Sequence, residues 1–312
     1  GLAMLLGRLE HGRMAHLYAW TLPLGVSDLA AGIVWLAILT DRGYLNSVLQ
    51  ALGALDAPTT WLSIRTPIAL FAKDPAGNET RTEFEHRVFP KAFKRSRIPI
   101  DGAFLGRVVP SILQKTPTFM TTPPPTDDLL PAFLRINGEL RRANASQIAK
   151  LAEKTSATML WKGPFQQLTN SQVESAFADS RTYVYGGKEV DRQVHLGFDL
   201  AKTANVPVLA ANSGTVLHAA DLGIYGNCVI LDHGMGVQSL YAHLSSFDVT
   251  GGQQVTQGQM LGRSGQTGLA GGDHLHFSTL VNGQFVNATE WWDPHWIEDR
   301  ITRKLGEVGS IP

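Results

Sequence analysis

Gly271-Gly272-Asp273-His274-Leu275-His276-Phe277-Ser278-Thr279-Leu280-Val281-Asn282-Gly283-Gln284-Phe285-Val286-Asn287 reads as a β-hairpin. His274–Val281 is rich in strand formers, Asn282-Gly283 is a pair that tolerates positive φ at both centres of a tight turn, and Gln284–Asn287 returns. The same texture extends upstream. Of the chain's 31 glycines, 17 fall between Gly186 and Gly283. They separate short β-rich runs at Val206–Ala211, Thr215–Ala219, Cys228–Asp232 and Val237–Leu244. Short strands punctuated by glycine predict an all-β domain.

Histidine concentrates in this domain: His195, His218, His233, His243, His274, His276 and His295 follow residue 190, against His11, His16 and His86 before it. Residues two apart on a strand face the same way, so His274 and His276 are expected to project side by side into one groove. In His195-Leu196-Gly197-Phe198-Asp199 the glycine is expected to let the chain bend and return Asp199 toward His195. In a chain of this composition a His-x-His pair arises by chance roughly 0.3 times and His-x-x-x-Asp roughly 0.5 times, so neither alone specifies a site.

The inventory narrows the chemistry. The 312 residues are 44% hydrophobic, enough for about two domains with real cores, and Lys plus Arg balances Asp plus Glu at 27 each. No global field favours nucleic acid. The single cysteine, Cys228, excludes an internal disulfide and a Cys-rich zinc site, so a metal here needs His and carboxylate. Cys228 lies in an apolar run, where an inert buried thiol is expected. No Glu stands between Glu189 and Glu290 and no His-Glu-x-x-His occurs, which removes a glutamate base and leaves histidine. His218 and His233 are assigned to structural or surface positions.

The upstream part is organised differently. Leu22–Thr40 approaches membrane-spanning length, but Asp28, Pro23, Gly25 and Gly32 interrupt it, favouring a buried helix capped at Ser27 or Asp28 and ended at Gly43. A second helix is expected over Tyr44–Leu55. Pro67–Ala72 and Thr82–Val88 read as strands around the turn formers Asp74-Pro75-Ala76-Gly77-Asn78. Helical periodicity marks Ala103–Gln114 and Asp128–Lys154, separated by the proline-rich Pro117–Pro125. The basic Lys91, Lys94, Arg95 and Arg97 read as a solvated face. No basic leader with a cleavage site is visible at the start, so compartment is not read from the termini.

Three separated motifs stand in one order: His195-x-Gly-x-Asp199, Tyr241-Ala242-His243-Leu244, and His274-Leu-His276-Phe277 behind Gly265-Gln266-Thr267-Gly268. With Pro207-Val208 and Gly223-Ile224-Tyr225-Gly226-Asn227 between them, residues from about Phe177 to Trp292 resemble the lysostaphin-type (LytM-like) zinc endopeptidases, which cut peptidoglycan. The resemblance implies an α+β chain: a C-terminal all-β LytM-like antiparallel sheet domain with a deep groove, behind a helical connector and a small, partly β N-terminal region. It implies one Zn2+ on His195, Asp199 and His276. His243 and His274 would then carry proton transfer and oxyanion stabilisation, either of them acting first as base. The implied substrate is a peptide bond in peptidoglycan cross-links or stem peptides.

The expected organisation is an N-terminal region over 1–97, similar in its hairpin to an incomplete immunoglobulin-like domain, a helical connector over 98–170, the zinc endopeptidase domain over 171–294, and a C-terminal helix and tail over 295–312. The connector, with Leu160-Trp161-Lys162-Gly163-Pro164-Phe165, looks similar to those of Gram-negative envelope members, which points to the periplasm. A membrane anchor is not favoured. Two rival readings differ in class. Val249-x-x-Gly252-x-x-Val255-x-x-Gly258 resembles the hairpin of lipoyl and biotinyl carriers, but no Lys stands between Lys202 and Lys304 to be modified. The other rival is a non-catalytic LytM-like module that binds peptidoglycan or activates another hydrolase; here all five expected positions are filled.

Overall fold

The computed structural model describes residues 68–73, 78–84, 92–120 and 122–307. The chain divides into one unit ending at Ala92 and another beginning at Phe93. In the first, β1 (Ile68–Lys73) and β2 (Glu79–Phe84) pair antiparallel, with Ile68 opposite Phe84. The apolar stretch Leu22–Thr40, the helix expected over Tyr44–Leu55 and most of the Asp74–Asn78 loop lie outside the described residues. Among the described residues no helix is long and apolar enough to cross a membrane.

The second unit opens with β3 (Arg95–Pro99) and α1 (Gly102–Lys115). The Asp101 carboxylate caps α1 by accepting Phe104 N–H at 2.7 Å. Leu105, Val108, Val109 and Ile112, spaced at helical period, are its buried stripe. Next come α2 (Leu130–Arg135), a π turn over Ile136–Leu140, and α3 (Arg141–Ala152). Strands follow: β4 (Gln172–Ser175), β5 (Ser180–Tyr185), β6 (Lys188–Val194), β7 (Phe198–Ala201), β8 (Pro207–Leu209), β9 (Gly214–Asp221), β10 (Asn227–Gly234) and β11 (Val237–Leu244). After them run β12 (Ser246–Phe247), β13 (Gln254–Val255), β14 (Met260–Arg263), β15 (Leu275–Val281) and β16 (Gln284–Val286). Short helices at Ala288–Trp292, Pro294–Ile297 and Arg303–Glu307 follow the last strand.

An antiparallel sheet in the order β13-β9-β10-β11-β15-β7-β4, with β16 on β15, is the frame. The Asn282-Gly283 turn has φ of 49° and 75°, as a tight right-twisting hairpin demands. Gly252 and Gly258 also have positive φ and form turns, their N–H groups donating to Val216 O and Ala210 O. Small sheets β12-β14-β8 and β3-β5-β6 flank the frame.

Both faces of the central strands are buried. Alternation sends Leu231, Tyr241 and Phe277 to one core with Trp161, Phe165 and Trp291, while Ile230, Leu240 and Leu280 meet Leu105, Val109, Phe133 and Ile136 of the helices. The helical segment is thus half of the second core, and removing it would bare Leu240 and Leu280, both 0% exposed. Asp232 ties the segment after α3 to the sheet, its carboxylate accepting Thr155 Oγ–H at 2.7 Å and Ser156 N–H at 2.8 Å. His233 is buried between Ser213 O and Ser239 Oγ, both at 2.7 Å, a structural position. His218 is partly buried beside Ala220 O, and His295 is exposed. Cys228 is wholly buried, and burial pushes the pKa of its thiol well up, which disfavours the thiolate.

Candidate metal centre

β7 and β15 are neighbours, and their antiparallel register sets Asp199 opposite His276. Phe198 and Leu200 on one strand, with Leu275 and Phe277 on the other, face the aromatic core, so alternation turns Asp199 and His276 to the other face. His195 follows β6, fixed by its N–H to Asp179 O at 2.9 Å and by Ala178 N–H donating to its carbonyl at 2.8 Å.

Gly197 is needed here for a reason other than the expected bend. Its φ is not positive, and a Cβ on it would lie 2.5 Å from Ser278 Oγ, 2.6 Å from Phe277 O and 2.7 Å from His276 Cε1. The glycine lets the His195 loop lie against β15. Gly197→Ala is expected to cost about 1–3 kcal/mol, as an overpacked methyl does, and to displace His276; thermal melting and metal content of the variant measure both.

Hydrogen bonding assigns the tautomers around this point. His195 Nδ1 lies 3.1 Å from Ala176 O, which only accepts, so Nδ1 carries the hydrogen and Nε2 a lone pair. Ser278 Oγ–H donates to Leu196 O at 2.9 Å, so Ser278 accepts from His276 Nε2–H at 3.0 Å and leaves the lone pair on Nδ1. These two lone pairs and Asp199 Oδ1 stand 3.0 Å from one another in every pairing. Three acceptors aimed at one point repel unless a proton or a cation lies among them. Burial resists the proton, pushing His276 down to about 4 although the Asp199 carboxylate favours its charge. A cation would fit among them, and two imidazole nitrogens with one carboxylate oxygen are a donor set that suits Zn2+.

His243 reaches this face through a bulge. Tyr241 pairs with Val229 and Leu244 with Asn227, so Ala242 and His243 together oppose the single Cys228. His243 has φ of 63°, an unusual backbone for a side chain of its size. Regular alternation would send it with Tyr241 into the aromatic core; the bulge returns it to the side of His274 and His276, at ring separations of 4.9 and 5.7 Å. His243 Nδ1–H donates to Thr267 O at 2.8 Å, and burial, then the neighbouring His274 and His276, hold its pKa well below the ordinary range. His274 Nδ1–H donates to Gly272 O at 2.9 Å, and its Nε2 lies 3.4 Å from Asp199 Oδ1. Burial works against charge on His274, but the bond and charge of Asp199 outweigh it and raise the pKa.

The loop that carries both carbonyl anchors is itself braced. Asn227 N–H donates to Thr267 Oγ1, Leu269 N–H to Ile224 O, and Arg107 of α1 to Ala270 O at 3.0 Å and Gly271 O at 3.2 Å. Tyr225, beside them, lies 5.7 Å ring to ring from His276. The five residues singled out from the sequence therefore converge. Sequence reasoning missed the bulge at His243, the role of Ser278 in fixing a tautomer, and Arg181, whose Nη2 lies 2.6 Å from Asp199 Oδ2. Ser278 had a legible signal, being two residues past His276 on the same strand face. Arg181 had none, since a single arginine on a strand announces no partner.

Residues 193–288 match the Peptidase family M23 model. Over 95 residues it is 41% identical to the DD-carboxypeptidase/endopeptidase Mpg of Neisseria meningitidis serogroup B, and over 94 residues 39% identical to the peptidoglycan DD-endopeptidase ShyA of Vibrio cholerae. Each match spans 30% of this chain and only 22% of the relative's length. Among solved structures, the catalytic domain of lysostaphin from Staphylococcus simulans is 29% identical with a TM-score of 0.35, covering 41% of this chain and 96% of that one.

Proposed function

We propose that this chain is a zinc-dependent endopeptidase that hydrolyses peptide bonds in peptidoglycan cross-links or stem peptides, acting in the cell envelope, in the periplasm. The observation that carries the reading is the convergence of the lone pairs of His195 and His276 with Asp199 Oδ1, two further imidazoles standing beside them. The names of the Neisseria and Vibrio relatives support the substrate class.

In this reading His195, Asp199 and His276 hold the metal, and His243 and His274 are the catalytic residues. Bound there, Zn2+ would supply a Lewis acid that polarises the scissile carbonyl and acidifies water. The protein's own part is proton handling and orientation. His243 and His274 are each anchored through Nδ1–H to a backbone carbonyl, so each offers Nε2 to the reacting groups. One, neutral, takes the proton of the attacking water at Nε2 and passes it to the departing amine, while the other, protonated, donates its Nε2–H as a hydrogen bond to the developing oxyanion. The anchoring carbonyls, Thr267 O and Gly272 O, belong to the braced loop, so the imidazoles are oriented before substrate arrives.

Zinc content of the purified chain, measured beside release of soluble fragments from peptidoglycan with and without a chelator, tests the reading. One zinc per chain with cleavage that chelation abolishes and zinc restores is the expected result. Bound zinc without cleavage of cross-linked or uncross-linked peptidoglycan would overturn the enzymatic reading in favour of a binding module.

A further inference from the structure

Asp199 uses its two oxygens for different tasks. Oδ1 faces the imidazoles of His195, His276 and His274, whereas Oδ2 accepts Arg181 Nη2–H at 2.6 Å. We propose that Arg181 is a positioning residue that confines Asp199 to one-oxygen attachment to the metal and so preserves the open coordination position. The proposal rests on the metal reading above.

The surroundings of Arg181 are built to aim it. It lies on β5, between Ser96 of β3 in parallel register and Gln193 of β6 in antiparallel register. Behind it is Asp179, 1% exposed, whose Oδ2 accepts Ser96 Oγ–H at 2.8 Å and Ser175 Oγ–H at 3.0 Å and stands 3.9 Å from Arg181 Nε. Ser175 also stands opposite Asp199 in the pairing of β4 with β7, which closes the ring of contacts. Asp179 Oδ1 and Arg181 Nε are buried without hydrogen-bond partners, so the Arg181–Asp179 pair is not arranged for its own best bonding. What is short and direct is the bond to Asp199. Asp179, Arg181, Ser96 and Ser175 all precede residue 193, outside the stretch that matches the peptidase family.

Burying a guanidinium and two carboxylates together is costly, and a neutral donor would satisfy Oδ2 at less cost. A fixed cation does two further things. It prevents the carboxylate from rotating to offer both oxygens, which would fill a position that substrate or water needs. It also draws charge from the carboxylate, leaving the metal more electrophilic.

The test uses the full chain with Arg181→Met and Arg181→Lys, each first shown to fold by circular dichroism. Zinc affinity is read by competition with a chromophoric chelator, coordination number from the visible bands of the Co2+-substituted protein, and kcat and KM on peptidoglycan fragments at saturating zinc. Arg181→Met is expected to bind zinc about 10–100-fold more weakly, the range seen when groups orienting a metal ligand are removed. Its cobalt bands should weaken as the coordination number rises, and kcat should fall while KM stays near the wild-type value. Arg181→Lys, which keeps the charge without the planar fork, should fall between wild type and Met in all three. Should the Met variant fail to fold, the Lys variant decides alone. Wild-type zinc affinity and cobalt spectrum in either folded variant would overturn the role of Arg181 and leave the peptidase reading intact. A wild type that binds zinc and cobalt yet releases nothing from peptidoglycan would overturn the peptidase reading, while the metal measurements still decide on Arg181.

Discussion

His276→Ala is expected to lose stoichiometric zinc and, with it, cleavage of peptidoglycan. The substitution removes one of three converging acceptors and also the partner that Ser278 and Asp199 share. Two donors, His195 Nε2 and Asp199 Oδ1, do not close around a zinc ion tightly enough to keep it through purification. Because a zinc ion held there would supply several kcal/mol of transition-state stabilisation, the residual rate should lie roughly a thousandfold or more below wild type. Metal analysis and fragment release measured on the same preparation check both parts. A His276→Ala protein that keeps one zinc and cleaves at the wild-type rate would remove this residue from the ligand set.

His243→Asn should separate metal binding from turnover. Asparagine tolerates the left-handed backbone that the bulge imposes, φ of 63° at this position, better than most residues, so the substitution leaves the strand intact. The His195, Asp199 and His276 donor set is untouched. Zinc is therefore expected at one per chain with a melting temperature near that of wild type, while kcat falls by about 10²–10⁴, the range for loss of a positioned acid or base. The contrast between the two variants is the informative quantity: one loses metal and rate together, the other rate alone. Unchanged turnover in His243→Asn would take His243 out of the reaction.

These expectations depend on features of different legibility. The candidate donors were readable as inventory, since histidine and aspartate at short spacings are local facts of the chain, but their assignment as His195, Asp199 and His276 came from the resemblance of three ordered motifs to the lysostaphin-type family. The glycine-rich punctuation and the Asn282-Gly283 turn were readable for the same reason, since backbone conformations with positive φ select their residues within a few positions. The missing Glu between Glu189 and Glu290 and the lone Cys228 were likewise inventory, and they limited the proton carriers to histidine before any geometry was known.

The direction in which His243 points was not readable. Period-two alternation along Val237–Leu244 assigns it to the face of Tyr241, and only the mismatch of two residues against Cys228 on the neighbouring strand turns it over. That mismatch belongs to the pairing of two strands and not to either one. Gly197 was singled out for the wrong reason: the chain does not need its flexibility but the absence of its Cβ, against β15, which lies some eighty residues away in sequence. The helices of 102–152 looked like a connector, yet Leu105, Val109, Phe133 and Ile136 complete a core with Ile230, Leu240 and Leu280. A helical stripe declares that it will be buried, but not against what.

By itself, then, the sequence determined which chemistry the chain can offer: nitrogen and carboxylate donors on short strands, histidine in place of glutamate, and turns where glycine and asparagine stand. Tertiary structure alone decided that Asp199 faces His276 across 77 residues, that His243 joins them, and that Arg181 takes the second oxygen of Asp199. The physical reason is the range of the forces involved. Backbone preference and alternation act over a few residues and are written locally, whereas register, bulges and the approach of one charge to another are set when distant strands pair and bury each other's faces.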